Sequence, residues 1–260
     1  MSKTDTLRQQ PNGGQNGAGP YSPELSAVLQ KAVPEGLEKN VSNSGVPRAT
    51  KAVSHEKPDG SKSSPSDRTV LQQHVDYWDF DNDGKIYPLD TYRGFCNIGF
   101  PRIMSFIAIF VIHGTFSYWS QDSWMPDPFF SLLTKNIHRT RHGSDSQTYD
   151  PEGRFVPEKF EEIFSKHDKA NKGGLYLREM IDMAKNVRKI MDPVGWSAMA
   201  FEWGATYYLL HNKEGYVSKE HIRGVYDGSL FYQLDEANSK RKSQHKSKKH
   251  HKSQHKSKHI

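Results

Sequence analysis

The pattern of apolar and polar positions divides the chain into a helical centre and two polar ends. After residue 67 apolar residues recur at helical spacing, and the first stripe contains Val70 and Trp78, with His74 on the same face. Residues 1–66 and 239–260 carry too few apolar side chains to offset the entropy of ordering a chain. We therefore predict a mainly α-helical protein with disordered termini.

The first helical stripe leads into an acidic loop, Asp79–Asp90. This loop has acids at positions 1, 3, 5 and 12, glycine at position 6 and an aliphatic residue at position 8, which is the EF-hand pattern. A calcium ion takes about six to eight oxygen ligands, and alternate residues of so tight a loop can all reach it. The predicted calcium ligands are the side chains of Asp79, Asp81, Asp83 and Asp90 and the backbone carbonyl of Lys85. Since position 12 is normally the longer Glu, Asp there predicts lower coordination, weaker calcium binding or better tolerance of magnesium.

A second loop, Asp168–Glu179, keeps the frame of the motif but loses two ligands. Acids remain at positions 1 and 12 and glycine at position 6, whereas positions 3 and 5 are Ala170 and Lys172. We therefore predict an EF-hand pair with one intact and one degenerate loop. Leu175 of the degenerate loop is expected to pair with Ile86 of the intact one.

The most apolar stretch of the chain lies between the two loops. A helix from Ile103 to Trp119 would be about 25 Å long, which is short of the roughly 30 Å of bilayer hydrocarbon. Pro126 and Pro128 then break any helix in a segment that stays aromatic. Two interpretations fit the 98–130 segment: a short membrane-associated helix that enters one leaflet and returns, or a buried core helix of a soluble domain.

The charge of the chain is distributed unevenly between the tail and the remaining residues. The net charge is +6, but nine basic residues and no acid lie in the tail, so the rest of the chain carries −3. The tail repeats one basic heptapeptide at 242–248 and 252–258, which either attracts lipid phosphates or keeps the protein soluble. We expect no nucleic-acid partner.

A single cysteine excludes an intrachain disulfide, and an intracellular protein is expected.

Together these segments resemble the caleosin family of calcium-binding lipid-droplet proteins, which are also described as peroxygenases. The resemblance covers about residues 70–231. Its marks are Leu-Gln-Gln-His74 before the loop, Tyr87-Pro88 within it, Pro126 and Pro128, the run Asn136–Ser146, Ile163-Phe-Ser-Lys166 and Tyr226-Asp-Gly-Ser-Leu-Phe231. The polar N-terminus, the basic tail, Asp90 at loop position 12 and a reduced proline knot depart from the family pattern.

The resemblance implies a haem b protein that transfers oxygen from a fatty acid hydroperoxide to an unsaturated fatty acid or another acceptor. It assigns the catalytic and haem-binding roles to His74 and His142. His138 is an alternative ligand, and Cys96 is a less favoured one because its spacing fits a core thiol. Two permanent histidine ligands would block the hydroperoxide from the iron, so one is expected to be axial and the other a distal acid–base group or a ligand that leaves.

The resemblance also implies attachment to lipid droplets or the endoplasmic reticulum, with self-association left open. A non-catalytic, calcium-responsive droplet protein would need the same loop and apolar segment without haem, and a soluble EF-hand sensor is a second alternative. Glu202 lies in an otherwise apolar stretch and is either an interior carboxylate or, as is more common, a residue that faces solvent or pairs with Arg or Lys.

The predicted organisation has five regions. They are a disordered polar N-terminal region (1–66), the calcium-binding EF-hand region (67–97), the apolar lipid-associated segment with its proline turn (98–130), a C-terminal helical region with the degenerate loop (131–238) and a disordered Lys/His-rich tail (239–260).

Overall fold

The computed structural model describes residues 49–61 and 67–257, with side chains as far as residue 244. Most of these residues are helical, as predicted. The helices are α1 (Val70–Asp76), α2 (Pro88–Ile98), α3 (Arg102–Ser120), α4 (Pro157–His167), α5 (Leu177–Val187), α6 (Pro193–Leu210), α7 (Lys219–Tyr226) and α8 (Ser229–Ser257), with a 3₁₀ helix at Thr134–Thr140. The strands are β1 (Lys85–Ile86), β2 (Leu132–Leu133), β3 (Gly174–Tyr176) and β4 (Tyr216–Ser218).

Local sequence signals account for several helix starts. Helix α1 begins at a capping box in which Thr69 Oγ1 accepts from the N–H of Gln72 and Gln72 Oε1 accepts from the N–H of Thr69. A proline occupies the first turn of α2, α4 and α6, where its missing N–H costs nothing. Pro88 thus has the role that the sequence predicts for it.

The two acidic loops do not pair with each other. Ile86 lies opposite Leu132, and Leu175 lies opposite Val217, in two separate antiparallel ladders. The predicted pairing of Ile86 with Leu175 is therefore wrong. Each acidic loop pairs instead with the next turn along the chain, and that turn lacks the acids by which sequence reasoning recognises such a loop.

The four paired turns share one backbone feature. In each turn the residue two positions before the paired apolar residue (Ile86, Leu132, Leu175 or Val217) has a positive φ. The values are +83° at Gly84, +54° at Phe130, +73° at Gly173 and +84° at Gly215. Glycine adopts this conformation without steric cost, whereas Phe130 takes it in a turn closed by its N–H to the carbonyl of Asp127 (3.0 Å). The fold thus contains two pairs of helix–loop–helix units, each with one acidic loop.

The core consists of two apolar clusters. One is built mainly from α1, α2, α3 and the β2 region, and the other from α4 to α7. Residues 49–53 belong to the second cluster: Ala52 is fully buried, and Ala49 exchanges two backbone hydrogen bonds of 2.8 Å with Phe155. The prediction of disorder over 1–66 is therefore wrong for 49–61. Residues 1–48 and 62–66 lie outside the described residues.

Helix α8 extends the fold into the basic tail. Its first part packs against α2 and α7, and Asn238 donates a hydrogen bond of 2.9 Å to the carbonyl of Asn97. Residues 239–257, predicted to be disordered, continue this helix. The packed part supplies the costly helical nucleus, so extension needs only propagation through Lys, Gln and His. The last three residues of the tail are not described.

Candidate active-site cavity and calcium loop

A cavity of about 280 Å³ lies between the two core clusters. Its mainly apolar lining combines Trp78 and Phe95 from one cluster with Leu210 from the other. The volume is close to the lower bound of the roughly 300–1,000 Å³ typical of small-molecule sites. Among the histidines in the described part of the chain, only His74 and His142 line the cavity. The structure therefore brings these two sequence-predicted residues together at one site.

The imidazole of His74 is oriented by a hydrogen bond to the backbone. Its Nδ1 lies 2.6 Å from the carbonyl oxygen of Val225 in α7, and because a carbonyl only accepts, Nδ1 carries the proton. The lone pair of Nε2 is therefore available to a metal or a proton. Burial lowers the pKa of His74, which favours the neutral imidazole that a haem iron binds.

The close approach of α7 to α1 depends on Gly228. Its φ is +73°, and a Cβ there would lie 2.6 Å from the carbonyl oxygen of Gln73 and 3.0 Å from Cα of His74. A side chain at this position would push the two segments apart. The motif Tyr226-Asp-Gly-Ser-Leu-Phe231 thus has a physical role: it brings the Val225 carbonyl and the ring of Phe231, 5.3 Å between centroids, against His74.

His142 reaches the cavity from the segment after the 3₁₀ helix. Its Nδ1 is buried and has no hydrogen-bond partner among the described residues. Asp192 Oδ2 lies 3.6 Å away, beyond hydrogen-bond distance. This carboxylate already accepts from the N–H groups of Ser144 (2.7 Å) and Gly195 (2.8 Å). A buried ring nitrogen without a partner is unfavourable, so His142 is suited to pair with a ligand in the cavity.

The two alternative haem ligands lie elsewhere. His138 is half-buried and is not part of the cavity lining. Cys96 also lies outside the lining, and its thiol donates to Ser105 Oγ at 3.3 Å. The geometry therefore favours His74 and His142 over both.

Glu202 is a cavity residue that sequence reasoning underestimated. It lines the cavity from α6 with an exposed side chain, and no hydrogen bond or ion pair joins it to another described residue. Burial raises the pKa of Glu202 to about 7, and the nearby charge of Asp145 adds to the shift.

The first acidic loop brings three of its carboxylates together. Oxygens of Asp79, Asp81 and Asp83 lie within 4.8 Å of one another. Burial raises the pKa of Asp79, and the charges of its neighbours add to the effect. No described cation forms an ion pair with these three groups. Asp90 is not part of the cluster, and its Oδ2 accepts from the N–H of Tyr87 at 3.0 Å. Lys85, whose carbonyl is the fifth predicted ligand, begins β1 with its side chain exposed.

The second acidic loop contains its own cation. The Nζ atom of Lys172 lies 2.8 Å from Asp168 Oδ1 and 2.6 Å from Glu179 Oε2. These are positions 1 and 12 of the loop, the two acids that it retains. Lys172 thus occupies the space between the remaining carboxylates.

Helix α3 buries polar residues and exposes apolar ones, which is the reverse of the pattern expected of a helix in a soluble protein. Its buried residues include Ser105, His113, Ser117 and Ser120, whereas Ile103, Phe106 and Phe110 are more than half exposed. The buried polar groups bind neighbouring segments: His113 bridges Thr91 Oγ1 (2.8 Å) and the carbonyl of Phe130 (2.7 Å). By length and composition this 19-residue helix is also able to cross a membrane. The apolar segment is therefore helical as predicted, but it is not a buried core helix.

Comparison with known proteins identifies the family. The model of the caleosin-related protein family matches residues 66–235. A peroxygenase of Lilium longiflorum is 40% identical over 206 residues, covering 79% of this chain and 86% of the relative. Probable peroxygenase 4 of Arabidopsis thaliana is 38% identical over 185 residues, covering 71% and 95%.

A third relative and the solved structures complete the comparison. A probable inactive peroxygenase-like protein of Arabidopsis thaliana is 36% identical over 155 residues, covering 59% of this chain and 74% of the relative. No solved structure is significantly similar. The relatives named peroxygenase support a peroxygenase enzyme, and the chain belongs to the caleosin family, as its motifs predicted.

Proposed function

We propose that the chain is a calcium-dependent haem peroxygenase that transfers oxygen from fatty acid hydroperoxides to unsaturated fatty acids or other acceptors. The observation that carries this proposal is the meeting of His74 and His142 at one apolar cavity. Two imidazoles in an apolar cavity have the chemistry to hold a porphyrin and its iron. Haem b, when bound, would supply the iron at which the O–O bond of the hydroperoxide breaks. Because the cavity is small, admitting a porphyrin requires its lining to open.

His74 is the residue better placed to hold the haem iron. Its Nδ1–H is held by a backbone carbonyl, and this second hydrogen bond is what orients a metal-binding histidine and leaves Nε2 free. His142 then remains as a second imidazole in the cavity lining, and its Nδ1 has no hydrogen-bond partner among the described residues. This division leaves the iron open to the substrate.

We place the enzyme at the surface of lipid droplets or the endoplasmic reticulum. Supporting this, α3 exposes an apolar face, and the turn after it adds Trp124 (91% exposed) and Met125 (74%). Large exposed apolar patches are rare on soluble monomers. The same helix lines the cavity through Ile112 and Phe116, so a fatty substrate leaving a lipid layer would need to pass only one helix.

Calcium is proposed to bind the first loop and to act on His74. The cluster of Asp79, Asp81 and Asp83 supports a hard cation with oxygen ligands. Helix α1, which carries His74, ends shortly before Asp79. Ordering the loop would therefore also order the helix that presents the imidazole.

A second candidate function is a non-catalytic, calcium-responsive droplet protein. One relative carries the word inactive in its name, which favours keeping this alternative. It requires the loop and the apolar face but no haem. The two candidates are therefore separated by a haem spectrum.

The decisive experiment is the visible absorption spectrum of the detergent-solubilised full chain after haem supply. We expect a Soret band that is lost or shifted in His74→Ala and shifted in His142→Ala. The matched control is His138→Ala, which removes a half-buried histidine outside the cavity and should leave the band unchanged. Absence of a band from every preparation would instead support the non-catalytic candidate.

Location is tested separately by flotation with lipid droplets. The double substitution Phe106→Ser and Phe110→Ser should abolish flotation because it removes two exposed rings from α3. Ile181→Ser, which removes a half-exposed residue from α5, is the control. Flotation of the double variant equal to that of the parent would reject α3 as the lipid contact.

A further inference from the structure

Glu202 is a charged cavity group for which the proposed function has no role. It enters the cavity from α6, on a wall otherwise formed by apolar or weakly polar residues such as Ala198, Met199 and Ala205. No hydrogen bond or ion pair joins it to another described residue. A carboxylate that lines a cavity, is accessible there and has no partner among the described residues is available to a ligand.

The other titratable groups of the lining come from three elements. They are His74 from α1, Arg141, His142, Asp145 and Tyr149 from the segment between the 3₁₀ helix and α4, and Tyr226 from α7. Most of them are already paired. Arg141 Nη2 donates to Asp145 Oδ2 at 2.8 Å, and the Tyr149 hydroxyl donates to the carbonyl of Tyr226 at 2.6 Å. The Tyr226 hydroxyl shares a 2.7 Å hydrogen bond with Ser146.

Glu202 lies on the same cavity as the segment that carries His142 and as α7, whose Val225 carbonyl contacts His74. Its charge acts on Tyr149 and Tyr226, the latter adjacent to the Val225 carbonyl that holds His74. It is itself influenced by Asp145, three residues after His142. With Nδ1 of His74 held by its backbone partner and Nε2 assigned to the iron in the proposed function, Glu202 and His142 are the remaining lining groups that can exchange a proton and form no hydrogen bond within the described residues.

The reaction assigned to this enzyme requires one internal proton movement. A hydroperoxide ROOH and an acceptor S give ROH and SO: the O–O bond breaks, the acceptor loses two electrons and the peroxide gains them. The terminal oxygen leaves with the acceptor, so its proton must move to the oxygen bound to carbon. A single carboxylate beside the O–O bond can make both transfers without any net uptake of protons.

We propose that Glu202 is the proton-transfer residue of this reaction, taking the proton from the terminal oxygen of the hydroperoxide and returning it to the oxygen bound to carbon. This inference rests on the proposed peroxygenase function. Burial raises the pKa of Glu202 to about 7, and a group whose pKa lies near the working pH both accepts and donates efficiently.

The first test needs no haem. Infrared spectra of the cofactor-free full chain, recorded across neutral pH, should show a carboxyl band that titrates near pH 7 and is missing from Glu202→Gln. Glu214→Gln removes an exposed acid from the loop between α6 and α7 and should leave the band in place. A parent protein without such a band would overturn the inference.

The second test uses the haem-loaded enzyme with an organic hydroperoxide. Glu202→Gln should keep the Soret band and a KM close to that of the parent, lower kcat by about 100-fold or more and lose the pH dependence of kcat near neutrality. Glu202→Asp retains a carboxylate and should recover part of kcat. If circular dichroism shows that Glu202→Gln does not fold, Glu202→Asp still tests the inference.

The outcomes separate the two proposals. A Soret band and unchanged kcat in Glu202→Gln would overturn the role of Glu202 and leave the peroxygenase proposal intact. If His142→Gln then removed the neutral pH dependence, the proton would be moved by His142 instead. A parent protein that binds no haem would overturn both.

Discussion

The two acidic loops, Asp79–Asp90 and Asp168–Glu179, have the same backbone and opposite charge balance. Both have an asparagine of positive φ at position 4, +57° at Asn82 and +50° at Asn171. In both, the acid at position 1 accepts from the N–H groups of positions 5 and 6, at 3.1 and 2.9 Å in the first loop and 3.1 and 2.7 Å in the second. In both loops the turn is therefore held by hydrogen bonds from backbone N–H groups to the side-chain carboxylate at position 1.

The difference between the loops lies in position 5. In the first loop it is an acid, and the pKa of Asp79 is raised by burial and by its acidic neighbours. In the second loop it is Lys172. Burial alone would raise the pKa of Asp168, but the hydrogen bonds from Lys172 and the backbone lower it overall. A tethered ammonium group thus does in one loop what a calcium ion is proposed to do in the other.

The largest expected effect is the loss of the tethered cation. Lys172→Met leaves Asp168 and Glu179, whose side chains are only 4% and 11% exposed, without their charge partner. Breaking a buried ion pair from one side costs about 3 kcal/mol or more. We expect the free energy of unfolding, measured by chemical denaturation, to fall by about that amount.

The matched control for Lys172→Met is Lys159→Met. Lys159 also lies 3.1 Å from a carboxylate, that of Glu162, but both side chains are about one-third exposed. Such a surface pair contributes about 0–1 kcal/mol. Equal losses in the two variants would show that Lys172 does not replace a metal in the second loop.

The next effect concerns calcium binding to the first loop. Asp79→Asn removes one ligand charge while keeping the side-chain volume, and should weaken calcium binding by about 100-fold or more. In chelator the same variant should be more stable than the parent, because it removes a charge whose burial and acidic neighbours together raise the pKa of Asp79. Isothermal titration with calcium measures the change in affinity, and chemical denaturation in chelator measures the change in stability.

The parent provides the reference for this variant. Excess chelator should lower its peroxygenase turnover, whereas Asp79→Asn should be insensitive to chelator. Asp90→Glu lengthens the acid at position 12 and is expected to strengthen calcium binding. Unchanged calcium affinity in both variants would show that the ion binds elsewhere.

Some features of the fold follow from short stretches of sequence, and others depend on packing between distant segments. The capping box at Thr69, the proline at the start of α2 and the acids of the first loop are all local signals, and the structure shows a helix start at the first two and a cluster of carboxylates at the third. The pairing of Ile86 with Leu132 could not be predicted from ligand spacing, because β2 follows a turn with no glycine and only scattered acids. The tail helix was missed because its nucleus is a packed segment outside the tail.

The site was predicted only in part for a similar reason. The resemblance singled out His74 and His142, but their meeting depends on long-range packing of α1, α7 and the segment after the 3₁₀ helix. Glu202 was undervalued because an isolated acid in an apolar helix usually faces solvent. Its place in the cavity lining depends on the packing of other elements against α6, which the periodicity of α6 alone does not report.

The smallest expected effect is a difference in how the two loops respond to acid. The pKa of Asp168 is below its ordinary value of 3.8 in the folded chain, so the unfolded chain holds more protons between the two values. Its contribution to stability is therefore present above pH 3.8 and is lost as pH falls through the folded pKa. Asp79 has a raised pKa, so without calcium its unfavourable charge is relieved by acid.

Denaturation in chelator as a function of pH tests these opposite signs. Asp168→Asn should reduce the acid-induced loss of stability seen in the parent, whereas Asp79→Asn should increase it by removing the group that gains from protonation. The effect is small because burial opposes hydrogen bonding at Asp168, and the two partly cancel. If both substitutions changed the acid slope in the same direction, the opposite charge balance of the two loops would be refuted, even though their backbones match.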